Sequence, residues 1–324
     1  MTMIKTPLAI SASLIALSLS CGAAQADYPE RPIQMIVPWS AGGGTDAVAR
    51  QLAAGLEAEL GQSVNVINRT GGGGIIGHTE IANASPDGYT IGMVTGELAT
   101  YNNMGIASVS YEDISPIALI NLDPAAFTVN ADSPWQGLKE AMADIKANPG
   151  KYTASGTGPG APYHLAFSGF LDQQGIDPLN VALVPSEGAA PALQELAGQG
   201  VDIVFSSLPE TVSMRSSGRV RTLAVFADER VEAFPDIPTA SEITGEEWTG
   251  GTWRGIAGPA RLPKDVVETL AEATQKVYES ETFQTFMDNR GFGTAWRGPD
   301  AFGDFLAEAD ATNAPLIDKL GLAR

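Results

Sequence analysis

The segment from Ile33 to Leu60 leaves the chain little choice of fold. Ile33, Met35, Ile36 and Val37 form a short apolar run that closes on Pro38, the pattern of a buried strand. Trp39-Ser40-Ala41 leads into three glycines, Gly42 to Gly44, and Thr45 or Asp46 then offers a side-chain oxygen to cap a helix. Val48, Leu52, Leu56 and Leu60 recur every four residues, so one face of that helix is apolar, and Gly61 supplies a stop. Glycines let backbone approach a ligand closely, and unpaired N–H groups at a helix start favour an anion. No lysine or arginine lies between Ile33 and Thr45, so an anion held there meets backbone and hydroxyls rather than a cation. An ordinary strand-to-helix turn carries the same residues, and the motif alone does not choose between them.

The unit recurs. Val64 to Ile67 alternates as a second strand and ends in Asn68-Arg69-Thr70 and four glycines. Pro86-Asp87-Gly88-Tyr89 is a tight turn before a strand at Thr90 to Val94, tipped by Thr95-Gly96-Glu97. Ser115 to Leu122 and Ala126 to Val129 read as two more short strands. A second lobe opens near Phe127, with a helix over Trp135 to Ile145 and a strand at Tyr152 to Ala154. Ser155-Gly156-Thr157-Gly158-Pro159-Gly160-Ala161 follows, then a helix carrying His164. Val181 to Val184, Val201 to Phe205 (tipped by Ser206-Ser207) and Val220 to Phe226 read as strands, and Pro191 to Leu196 as a helix. The tail is helical, with Val266, Leu270, Ala273 and Val277 on one face, Phe283, Phe286 and Met287 on another, and Phe302, Phe305, Leu306 and Leu316 on a third. Strands alternating with helices predict a largely parallel α/β sheet, whose ligands lie outside the carboxyl ends of strands. Two lobes that each present a donor-rich loop predict a ligand gripped between them.

The leader narrows the setting. Lys5 is the only charge before Asp27, the run from Pro7 to Leu19 is apolar, and Ala24-Gln25-Ala26 has the small-x-small form of a cleavage site. That is a secretory signal peptide over residues 1–26, too short for a membrane span. Cys21 offers a rival reading as a lipidated cysteine, although Ser18 stands where such signals want an aliphatic residue. If Cys21 leaves with the leader, the mature chain has no thiolate for nucleophilic or metal chemistry. The 38 acidic against 19 basic residues argue against nucleic acid as a partner, because that binding rests on basic patches that neutralise phosphate.

Chemistry finds few footholds. The two histidines, His78 and His164, have no histidine or cysteine at metal-ligand spacing, so no metal is expected. Gly72, Gly74 and Gly77 spell a dinucleotide-type glycine pattern with Glu97 near the ribose-binding position, but four consecutive glycines satisfy many such patterns by chance. No cofactor is expected. A periplasmic serine hydrolase using Ser155 or Ser206 with His164 is a third-ranked alternative, since triads assemble in space.

The chain resembles the Bug family, the periplasmic solute-binding proteins of tripartite tricarboxylate transporters. Tyr28 to Ile33 and Ile36 to Asp46 carry the likeness, with Leu60-Gly61-Gln62, Asn68 to Gly71, Gly73 to Gly77 and Ser85 to Thr90. Ser155 to Gly158 with His164-Leu165, Val184-Pro185, Gly188 to Ala192, Pro235 to Thr239 and Trp253-Arg254-Gly255 extend it along the mature chain. The resemblance implies a two-lobed type II periplasmic-binding-protein (Venus-flytrap) fold, with residues 27–125 and 251–324 in the first lobe and 126–250 in the second. It implies a non-enzymatic receptor that delivers a carboxylate to inner-membrane permease subunits, or, alternatively, signals to a membrane sensor kinase. A monomer is expected of a diffusing shuttle. Carried over by motif, the ligand contacts are Trp39, Ser40, Ala41, Gly43, Thr45, Asp46, Thr95 and Gly96 in the first lobe. In the second they are Ser155, Thr157, Gly160, Ala161, His164 and Ser206, and backbone, hydroxyls and water rather than arginine hold the carboxylate. Several positions depart from the family pattern: Trp39 replaces phenylalanine or tyrosine, Ser40-Ala41 replaces Ala-Pro, and Thr70 replaces proline. Ser186-Glu187 replaces Tyr-Lys, and Ser206 replaces an aspartate. The lost lysine disfavours a tricarboxylate, the lost aspartate disfavours an amino acid, and Trp39 suggests an aromatic or medium-chain mono- or dicarboxylate.

Overall fold

The computed structural model describes residues 28–323; the leader, Cys21 and the cleavage site lie outside them. The first lobe opens with β1 (Ile33–Val37), α1 (Gly44–Leu60), β2 (Val64–Asn68), α2 (Ile75–Ala82) and β3 (Thr90–Thr95). β1 lies between β2 and β3 and runs parallel to both. After α3 (Tyr101–Met104) comes β4 (Ile114–Asn130), 17 residues long. The second lobe follows as α4 (Leu138–Ala147), β5 (Tyr152–Ser155), α5 (Pro162–Gln173), β6 (Val181–Leu183), α6 (Ala189–Ala197), β7 (Ile203–Ser207), α7 (Leu208–Ser216) and β8 (Val220–Val225). Here β5 lies between β6 and β7, again parallel to both. α8 (Ala240–Thr244) precedes β9 (Gly251–Pro259), and α9 (Lys264–Glu279), α10 (Glu281–Arg290), β10 (Thr294–Arg297) and α11 (Pro299–Lys319) complete the chain.

The sheet is mixed rather than largely parallel. β4 pairs antiparallel with β9 from Ile114 to Pro124, then with β7 and β8 from Ala125 to Asn130. One continuous strand thus replaces the two expected at Ser115–Leu122 and Ala126–Val129. Its prolines sit where a missing N–H costs least: Pro116 beside a register shift, Pro124 where the partner strand changes. β9 runs back alongside, and Gly251 packs so tightly on Pro124 that a Cβ there would stand 2.1 Å from the Asp123 carbonyl oxygen. A chain that crosses to a second lobe and returns must run in both directions, which makes the centre antiparallel.

Each lobe has its own core. Val48, Leu52 and Leu56 of α1 are fully buried against Val266, Leu270 and Val277 of α9 and Phe283 and Met287 of α10, while Leu60 is half-buried. Phe302 and Leu306 of α11 are buried beside Trp253. The second lobe packs Phe127, Phe167, Phe170, Phe205 and Phe226 into one aromatic cluster. α1 begins at least two residues earlier than the capping rule predicts. Gly43 is its N-cap without a side-chain cap, leaving the Gly44 N–H free for a partner from elsewhere.

Candidate ligand cleft

The loops after β1 and β3 meet those after β5 and β6, and the start of α7, across one small cavity of about 20 Å³, room for about one water molecule. Trp39, Ser40, Gly43, Gly44, Thr45, Thr95 and Glu97 line it from the first lobe, with Thr252 and Arg254 of β9. Thr157, Tyr163, Gly188, Ala189, Ala190 and Glu210 line it from the second. The lobes touch directly. Ser40 Oγ and the Ser40 N–H both donate to the Glu187 carbonyl, at 2.9 and 3.2 Å.

Six expected positions therefore border the cavity: Trp39, Ser40, Gly43, Thr45, Thr95 and Thr157. The other eight stand behind or beside it, for identifiable reasons. Ala41 is exposed. Asp46 turns back to accept from the Gly42 N–H at 2.9 Å, pairs with Arg50 at 2.8 Å and accepts from Asn68 at 3.0 Å, which fixes the shape of the loop. Those donors hold its carboxyl below the ordinary range although burial pushes the other way. Gly96 lies against Pro162. Ser155 Oγ donates to the Val184 carbonyl, and Ser206 is fully buried on β7 opposite Ala126. Gly160 donates its N–H to His164 Nδ1 at 3.0 Å, tying the loop to the first turn of α5, for which Ala161 is the N-cap. Among the described residues no serine hydroxyl is hydrogen-bonded to either histidine.

His78 has a structural task that metal-ligand spacing could not reveal. Its Nε2 accepts from the Thr95 N–H at 3.2 Å, so the proton sits on Nδ1 and points to Tyr101 Oη at 3.0 Å. Tyr101 in turn donates to the Gly73 carbonyl at 2.8 Å. The histidine couples the glycine run to the tip of β3, and burial lowers its pKa to about 3. The glycines serve packing: a Cβ on Gly77 would stand 2.6 Å from Pro38 Cα.

Of the cavity residues that the sequence did not assign to the site, three are charged. Arg254, 1% exposed, reaches Thr45 Oγ1 with Nε at 3.0 Å, Asn121 and Asp123 with Nη1, and Glu210 with Nη2 at 3.3 Å. Burial alone would lower its pKa, but the carboxylates of Asp123 and Glu210 and neighbouring Tyr163 hold it above the ordinary value. The loop that contains no cation is thus beside one supplied 209 positions away in sequence. Glu210 Oε1 also accepts from the Gly44 N–H at 3.0 Å, and its Oε2 from Tyr163 Oη, the Ser207 N–H and Ser207 Oγ. Glu97, 3% exposed, accepts from Thr95 Oγ1, which itself accepts from Trp39 Nε1 at 3.1 Å. Burial raises the Glu97 pKa to about 7, against the lowering effect of Thr95 and Arg254. Two sequence signals were available: an arginine inside an otherwise apolar strand, and Ser207-x-x-Glu210 as a helix start.

The two-lobed α/β fold is shared with known proteins. The family model for the tripartite tricarboxylate transporter family receptor matches residues 48–322. The chain belongs to that family. This receptor is similar to a UPF0065 protein of Bordetella pertussis, 32% identical over 311 residues and covering 95% of each chain. It is similar to the periplasmic binding protein BugD, with a TM-score of 0.84, 32% identity, and 91% and 99% of the two chains covered. The R. palustris protein Rpa4515, solved with adipate, has a TM-score of 0.84, 25% identity, and coverage of 92% and 99%. These neighbours place the receptor among two-lobed periplasmic binding proteins, a receptor family rather than an enzyme family.

Proposed function

We propose that this receptor captures a small organic carboxylate between lobes formed by residues 27–125 with 251–324 and by 126–250, and passes it to the membrane subunits of a tripartite tricarboxylate-type transporter. The setting is the periplasm, reached through a cleaved leader. One observation carries the reading: two helix starts face the same cavity, Gly44 and Thr45 of α1 from one lobe and Gly188 to Ala190 of α6 from the other. Each supplies N–H groups without an intrahelical partner and about half a positive charge, which suits a carboxylate. The α1 seat already holds one, since Glu210 Oε1 sits on the Gly44 N–H. Thr157 Oγ1 is buried beside it without a hydrogen-bond partner, a donor left for a ligand. Ser40 and Glu187, Gly44 and Glu210 join the two lobes, so the ligand enters when these contacts part. The adipate held by the R. palustris relative supports the ligand class. The Trp39 wall supports an aromatic or medium-chain skeleton.

Thermal unfolding of the mature protein, refolded from denaturant to strip endogenous ligand, tests this against mono-, di- and tricarboxylates. A ligand at a hundred times its dissociation constant adds about 2.7 kcal/mol of stability. The reading fails if no carboxylate raises Tm. Citrate binding far more tightly than terephthalate, benzoate or adipate would remove the aromatic or medium-chain skeleton while sparing the class.

A further inference from the structure

The charge inside the cleft is not what a receptor for dicarboxylates needs. Among the described residues Arg254 is the only cation lining the cavity, and it is committed to Asp123 and Glu210 at once. Its single positive charge offsets one of those carboxylates and leaves the other. The two helix starts facing the cavity together supply about one further positive charge, enough to balance Glu210. Glu97 adds a third buried carboxyl group, close enough to Glu210 and Arg254 to feel both. The pocket is therefore balanced or acidic before any ligand enters.

A ligand carboxylate can take the place of Glu210 Oε1 on the Gly44 N–H and Arg254 Nη2, because both donors belong to the first lobe and separate from Glu210 when the lobes part. Glu210 then remains in the closing cleft, anchored through Oε2 to Tyr163 and Ser207 of its own lobe. A second ligand carboxylate would share the cavity with it and find the α6 helix start, about half a positive charge, but no further cation, a desolvation cost that such pairing does not repay. A protonated nitrogen on the ligand would instead restore the contact that Glu210 loses. The unpartnered Thr157 hydroxyl, 6% exposed and lining the same cavity, independently marks the space as one meant for a polar ligand.

Resting on the carboxylate reading, we propose that Glu210, with Glu97, is the charge selector of the site, so that the receptor takes a zwitterion bearing one carboxylate and one protonated amine and disfavours dicarboxylates of the same length. The family motif alone points the other way, because Ser206 replaces the aspartate expected to meet an ammonium; Glu210, four residues on, supplies the acid instead.

Matched ligands test the selector at pH 7.5: 6-aminohexanoate, adipate and hexanoate, and the shorter set 4-aminobutyrate, succinate and butyrate, each titrated by calorimetry and thermal shift. In the wild-type receptor the amino acid of at least one set binds at least tenfold more tightly than its dicarboxylate. Glu210→Gln narrows that ratio tenfold or reverses it, and Glu97→Gln narrows it less. Dicarboxylates preferred by the wild type, or a ratio unmoved in Glu210→Gln, would overturn the selector and leave the carboxylate reading standing. Silence of the wild type towards all six and the wider carboxylate library would overturn both. The wild-type ratio decides the matter even if Glu210→Gln fails to fold.

Discussion

At the scale of single residues, two of the buried titratable groups near the cleft, Glu97 and His78, pull stability in opposite directions with pH. Glu97 is raised from 4.5 to about 7 by burial, so its contribution is fully present below its unfolded value and is lost as pH rises from about 4.5 through 7. Glu97→Gln removes that loss. The variant is expected to gain about 3 kcal/mol relative to wild type between pH 4.5 and pH 8 in urea unfolding. His78 behaves oppositely. Its pKa falls from 6.5 to about 3 on folding, so its contribution is present above 6.5 and fades as pH drops towards 3. Gln at position 78 offers an Oε1 acceptor to the Thr95 N–H, so His78→Gln keeps that contact and does not titrate. Wild type is expected to lose about 2 kcal/mol between pH 6.5 and 5 that the variant retains. Parallel pH profiles for variant and wild type would remove either assignment.

At the scale of elements, the first βαβ unit was legible because its hydrophobic pattern is local. Val48, Leu52 and Leu56 are spaced for one helical face and are buried on it. Leu52→Ala is expected to cost about 2–5 kcal/mol, read as a lower urea midpoint. The glycine pattern of Gly72, Gly74 and Gly77 was legible as a motif but not as a purpose. Its last glycine lets α2 lie on the Pro38 backbone, so Gly77→Ala displaces a helix and is expected to destabilise by about 1–3 kcal/mol. A neutral Gly77→Ala would show that α2 moves away freely. β4 reads as two strands in sequence because Pro124, between them, is a strand breaker in isolation; the change of partner that accommodates it is a property of neighbours.

At the scale of the whole molecule, Arg254 joins the two lobes to one another and β9 to β4 and α1. It pairs with Asp123 within the first lobe and with Glu210 across the cleft, and all three side chains are buried. Removing it leaves two carboxylates without their cation. Arg254→Met is therefore expected to cost about 3–5 kcal/mol in unfolding, and Asp123→Asn in the same background should recover part of it. Strict additivity of the two changes would contradict the coupled pair. The resemblance named Arg254 within a motif yet implied a cleft held without arginine, since nothing in its neighbours in sequence says which loop it reaches.

The sequence by itself determined the alternation of strands and helices, the apolar faces that form each core, and six residues of the cavity wall. The first two follow from local periodicity and turn chemistry, and the six residues from the family resemblance of the motifs that hold them. Only the tertiary structure decided that Arg254, Glu97 and Glu210 share that wall, and that Asp46, His164 and Ser206 brace it from behind. The physical reason is range. Hydrophobic period and helix caps act over a few residues, whereas the charge inside a cleft is set by groups as far apart in sequence as Thr45 and Arg254. Their meeting depends on how β4 and β9 carry the chain across and back.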